Sequence, residues 1–196
     1  MSSSNFDKVK SNWETYENLC KKAAKHGIGD LIEALGERMV MTPSASRNDQ
    51  PGAYAGGMIE HALAVTACMR TINKSHGLSV PVSSILKVGL LHDLGKVGGL
   101  KEDLFVEQDS EWHREKLGQM YKYNENLEKM STSHRSLFLL QHFGVGLTQD
   151  EWVAIQLAQG SHFEENRFYV GSEPSLALVL QQAKQMIYHR DRKTSQ

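Results

Sequence analysis

An adjacent histidine and aspartate, His92-Asp93, follow the apolar run Val88-Gly89-Leu90-Leu91. Aspartate is seldom buried without a partner, so a pair that points inward calls for a cation. Imidazole and carboxylate together bind divalent transition metals such as Mn, Co, Ni, Fe or Zn. A third donor, His61, lies one position off the apolar stripe of the preceding amphipathic segment. Two antiparallel helices joined by a short turn could bring His61 against His92-Asp93. A single ion held there would lower the pKa of bound water toward neutrality and make a hydroxide nucleophile. The plainer alternative is that all three are satisfied core or helix-end residues, and the pattern alone leaves both open.

Helical periodicity supplies the elements that must position these groups. Phe6 to about His26 and Gly29–Met39 read as a helical pair broken at Gly27–Gly29. Thr42–Gly57, with two prolines and three glycines, reads as a long loop of a kind that often carries function. Met58, Ala62, Val65, Met69 and Ile72 mark one face of a helix ending near His76. Pro81 opens the helix that carries Ile85, Leu86 and Gly89 toward His92-Asp93, with Gly95 as its expected stop. Gly98–Met130 reads as a surface excursion with one short extended piece, Leu104–Val106. Further helices are expected at Ser136–Phe143, from a capping box at Thr148–Glu151 to about Gln159, and at Ser175–His189. The expected organisation is a helical pair at 1–40, a main domain at 41–190 and a frayed tail at 191–196.

Composition narrows the function classes. The 196 residues carry 22 basic and 23 acidic side chains, a net charge of −1, so no basic field advertises nucleic-acid binding. No apolar stretch is long enough to cross a bilayer, and Met1–Asn5 lacks a signal peptide's apolar core, so a cytoplasmic protein without a membrane partner is expected. Cys20 and Cys68 lack a C-x-x-C spacing and read as small core residues.

The stretch Leu90-Leu91-His92-Asp93-Leu94-Gly95-Lys96 resembles the central motif of the HD superfamily of metal-dependent phosphohydrolases. Upstream, Gly56-Gly57-Met58-Ile59-Glu60-His61-Ala62-Leu63 is similar to that superfamily's first motif, in the same order and spacing. Ala53–Gly57, Asp109–His113, Ser136–Gln141 and Leu147–Trp152 resemble a branch found in bacteria and tailed phages. The resemblance spans roughly Met39 to Tyr188. It implies an all-α bundle of about 6–8 helices, one metal ion held by His61, His92 and Asp93, and cleavage of a small phosphate-containing molecule, with a nucleotide as one candidate. A homodimer is a further expectation that only the resemblance carries.

The chain also departs from that pattern. An aspartate normally completes the metal sphere from the C-terminal helix, in a segment reading leucine-leucine-histidine-x-alanine-aspartate; here Gln181 and Lys184 stand at the histidine and aspartate positions. Ala158-Gln159-Gly160 stands where relatives carry histidine-aspartate-glycine. A charged ammonium cannot ligate a cation, but beside Asp93 it could replace one. Two readings follow. In one, a working hydrolase keeps one metal, Asp93 positions the nucleophile, and Lys96 or His134 steadies the phosphate. In the other, a catalytically silent domain for binding or scaffolding has Lys184 as the partner of Asp93. Arg135, Lys184, Arg47 and Tyr54 are the expected contacts to substrate. His162 is a candidate replacement ligand, and Trp112 and His113 a candidate cover for the pocket.

Overall fold

The computed structural model describes residues 3–194. The N-terminal pair is α1 (Ser3–Ala23) and α2 (Ile28–Met41). Gly27 turns between them at φ 73°, and a Cβ there would collide with the Phe143 carbonyl oxygen, so a side chain is excluded by backbone and by space. The long amphipathic segment forms α3 (Gly57–Ser75), and the run from Pro81 forms α4 (Val82–Leu91). A 3-10 turn, Leu94–Val97, follows immediately. Then come strand β1 (Phe105–Glu107), α5 (Glu111–Leu117) and β2 (Tyr121–Tyr123). The chain continues through α6 (Thr132–His142), α7 (Gln149–Gln156) with a 3-10 extension Leu157–Gln159, a 3-10 segment Glu164–Tyr169, and α8 (Ser175–Thr194).

The architecture is mostly helical, with α3 at its centre. Met58, Ile59, Ala62, Val65, Thr66 and Met69 bury one face of α3 between α4 and α8, and α1 covers α3 and α4 from the side. α6 rests on the 3-10 turn after α4, and α7 packs on α8. At the α3–α4 crossing, a Cβ on Gly89 would stand 2.5 Å from Thr66 Oγ1 and 3.1 Å from its Cα, so glycine lets the two backbones meet. Cys20 is buried in this core, whereas Cys68 is only half-buried at its edge; likewise Met39 is buried and Met41 exposed. No helix of the described residues is long and apolar enough to cross a membrane.

Three expectations change. The 98–130 excursion is a two-stranded antiparallel ribbon, Phe105 opposite Tyr123 and Glu107 opposite Tyr121, with α5 inserted between its strands. Three-residue strands are too short to show alternation, and α5 buries no residue, so neither leaves a periodic signal. α6 begins at Thr132 because Ser131 caps it, accepting from the His134 N–H. α8 continues five residues past His189 to Thr194, while 195–196 lie outside the described residues.

The capping box at Thr148–Glu151 is formed. Glu151 Oε2 accepts from the Thr148 N–H at 2.9 Å and takes the Lys87 ammonium at 2.8 Å, joining α7 to α4. Burial works to raise the Glu151 pKa, but the Lys87 and Thr148 hydrogen bonds outweigh it and hold the carboxyl below its usual 4.5. A carboxylate so lowered stabilises the fold above its unfolded pKa, and that contribution is lost as pH falls through the folded value. Glu151→Gln is therefore expected to cost roughly 1–2 kcal/mol at pH 7. In thermal melts the gap from the native chain should close as pH falls from the ordinary 4.5 through the lower folded value, and a gap independent of pH would refute the assignment.

Candidate functional site

His61 lies on the second turn of α3, His92 caps the C-terminus of α4, and Asp93 starts the 3-10 turn. The close approach of Gly89 to Thr66 brings these positions together, and the His61 and His92 ring centroids are 6.3 Å apart. His92 is fully buried. Its Nδ1 lies 2.9 Å from the Gly89 carbonyl oxygen, which can only accept, so Nδ1 carries the proton and Nε2 keeps its lone pair. Among the described residues that Nε2 has no hydrogen-bond partner, and it stands 3.6 Å from Asp93 Oδ1. Burial, opposed by Asp93, pushes the His92 pKa down to about 4; burial and then Lys96 push His61 down to about 3. Both rings are neutral at neutral pH.

Asp93, 2% exposed, is the electrostatic centre. Lys96 Nζ pairs with Oδ2 at 2.6 Å, and Lys184 Nζ reaches Oδ1 from α8 at 3.1 Å. Gln159 Nε2 donates to the same Oδ1 at 3.0 Å. Burial alone would raise the Asp93 pKa, but Lys184 and then Lys96 overcome it and hold the carboxyl well below the usual range. Two ammonium groups against one carboxylate, with neutral histidines, leave a formal charge of +1. By donor type and spacing His61, His92 and Asp93 could hold a metal ion, since their ligand atoms all lie within 4.8 Å of one another. The donors fit; the charge around them does not. A divalent cation would enter a site already positive and would have to displace an ammonium from Asp93.

Two residues outside the His61 and His92-Asp93 motifs hold this turn in place. Ser136 Oγ accepts from the Gly95 N–H at 2.8 Å and lies 2.9 Å from the carbonyl oxygens of His92 and Thr132, one of which takes its proton. Gly95, expected as a helix stop, is instead a close-approach glycine: a Cβ would collide with the Thr132 carbonyl oxygen and stand 2.9 Å from Arg135 Cβ. Arg38 on α2 uses its five N–H bonds on Asp103 and on the carbonyl oxygens of Val97, Gly99, Leu100 and Glu102. It thereby pins the segment that follows Lys96.

A cavity of about 510 Å³ opens over Asp93, with His61, Lys96, Gln159, Gln181 and Lys184 in its wall. The long loop before α3 does fold over it, through Ser44–Ser46 and Gln50-Pro51. Arg47 does not line it; its guanidinium is exposed and pairs with Asp49 at 2.9 Å. Tyr54 faces a neighbouring cavity beside Arg38. His134 bonds to its own cap, Ser131, and Arg135 donates to the Glu128 carbonyl oxygen at 2.7 Å, so helix capping and loop bracing draw both away from Asp93. His162 lines the cavity against Gly160 but stands outside the three-donor cluster. Trp112 is 58% exposed and His113 bonds to Ser110, because the ribbon holds α5 off the pocket. Gln159, which touches Asp93 directly, stands where the resembled pattern carries an aspartate; the departure was visible, but its contact with Asp93 was not.

Comparison of the chain with family models, with curated proteins and with solved structures gives no match. The site thus rests on its own geometry. Ser136→Ala leaves the buried Gly95 N–H without an acceptor, so a loss of about 1–3 kcal/mol is expected in chemical denaturation. Ser136→Thr should recover part of it only if the added methyl is tolerated beside Thr132. An Ala variant as stable as the native chain would remove Ser136 from the turn's support.

Proposed function

We propose that this chain is an HD-superfamily-like domain that binds a small phosphate-containing molecule in the cavity over Asp93, and that Lys184 takes the part of a metal there. The observation that carries the reading is the Lys184 ammonium 3.1 Å from Asp93 Oδ1. The residue at the position of the relatives' terminal aspartate thus neutralises the carboxylate that a metal would need. The mostly helical architecture and the order of the His61 and His92-Asp93 motifs support the assignment to that superfamily. The function is then binding or scaffolding, without phosphate-ester cleavage.

A second reading, a metal-dependent phosphohydrolase, is favoured by a different observation: three donors within 4.8 Å and a buried His92 Nε2 that nothing else uses. His61, His92 and Asp93 would hold the ion, which when bound supplies Lewis-acid polarisation of a phosphoryl oxygen and activation of water. Of the residues expected to steady the phosphate, Lys96 lines the cavity, whereas His134 and Arg135 do not.

Metal content separates the two. After incubation with Mn, Co or Ni and desalting, elemental analysis should find well under one equivalent in the native chain. One equivalent, with aryl phosphate turnover that Asp93→Ala abolishes, would overturn the binding-domain reading. Lys184→Asp sharpens the comparison: it should create metal binding the native chain lacks, whereas for a hydrolase it would only tighten binding already present.

A further inference from the structure

We infer that Lys96 and Lys184 form a metal-independent site for a single phosphoryl group, so that the cavity takes a phosphomonoester with an uncharged polar body rather than a di- or triphosphate. The inference rests on the binding-domain reading and adds the class of ligand.

Charge is the first argument. Among the described residues, Asp93 is the one carboxylate in the cavity wall, and Lys96 and Lys184 are its only ammonium groups. Both attach to Asp93, one to each oxygen, so the carboxylate holds them together instead of letting their repulsion drive them apart. The net charge left over is +1. A phosphomonoester brings about two negative charges at neutral pH and comes within one charge of balance. A triphosphate brings roughly twice that, and the wall offers no further cation to meet it.

Donor geometry is the second. The two lysine side chains are 83–84% buried and both line the cavity, Lys96 also bordering its neighbour. Lys184 spends one N–H on Asp93, and Lys96 spends one on Ser44 Oγ at 3.1 Å beside its ion pair. Ammonium hydrogens therefore remain for phosphoryl oxygens, which accept charge-assisted hydrogen bonds well. The neutral His61 ring, which has no hydrogen-bond partner among the described residues, adds a ring N–H on the same wall. This arrangement reverses the polarity of a metal site: the carboxylate positions cations, and the ligand is the anion.

The rest of the wall selects the ligand's body. Its polar members are hydroxyls such as Ser44 and Thr132, amides such as Gln181 and Gln185, and imidazoles, with Phe105 and Tyr188 as flat apolar faces. Hydroxyls and amides pair with hydroxyl, carbonyl or amino groups of an uncharged body, and at about 510 Å³ the cavity suits a ligand of small-molecule size.

Titration calorimetry in EDTA tests this, with inorganic phosphate, phenyl phosphate and tripolyphosphate as probes. Phosphate and phenyl phosphate should bind the native chain without metal, phenyl phosphate at least as tightly, and tripolyphosphate more weakly than either. Lys184→Met should weaken phenyl phosphate at least tenfold while keeping a cooperative melt. If Lys184→Met does not fold, Gln185→Glu adds a carboxylate to the same wall without touching Asp93 and should weaken binding comparably. No binding at 10 mM phosphate (about the weakest affinity worth assigning), binding that requires a divalent ion, or a preference for tripolyphosphate would each overturn the inference. Stoichiometric metal in the native chain would defeat the underlying reading. A metal-free chain that also ignores phosphate would defeat the ligand assignment alone.

Discussion

A carboxylate that is 2% exposed needs compensation for its lost hydration, and much of this molecule is arranged around supplying it to Asp93. The compensation comes from three directions. Lys96 arrives from the same turn, Gln159 from the end of the α7 extension, and Lys184 from α8, 91 residues away along the chain. Removing any one would leave a dry charge partly unmet. The ion cluster therefore reports on whether α4, α7 and α8 are docked together.

The helices are fitted to that centre by small residues and by main-chain hydrogen bonds. Gly89 lets α3 and α4 approach until His61 faces His92, and Gly95 lets the turn lie against α6. Ser136 then ties the turn's Gly95 N–H and a nearby carbonyl oxygen into α6. These contacts are short-range and rigid, so they set the direction in which Asp93 points. The lysines are longer and more flexible, and they adjust to it.

What could be read from the residues divides along the same line. The stripe Met58, Ala62, Val65 and Met69 and the Thr148–Glu151 cap are local patterns with known periods, and they located α3 and α7. The pairing of Lys184 with Asp93 was visible as one of two alternatives, because the resemblance sets Lys184 where that pattern carries a metal-binding aspartate. The contacts of Gln159, Ser136 and Arg38 were not legible, although the first two lie in stretches the resemblance had marked. An amide, a hydroxyl and a guanidinium gain their roles from carbonyl oxygens and carboxylates brought close by tertiary packing, and no spacing announces that. His134 and Arg135, expected at the phosphate, have partners elsewhere. Their side-chain chemistry suits phosphate, but nearby partners at Ser131 and Glu128 claim it first.

The ribbon carries a last consequence. Phe105 contributes to the cavity wall from β1 and Tyr123 from β2, yet neither belongs to the hydrophobic core that holds the helices together. The ribbon is held by its own ladder and by main-chain hydrogen bonds from Met120 and Tyr121 to Ser46 in the loop before α3, with Arg38 fastening the segment that leads into β1. Side chains on this wall can thus be exchanged at little cost to the folding of the bundle. In the proposed binding site, the charged floor would set the sign of the ligand and the ribbon's side chains its shape.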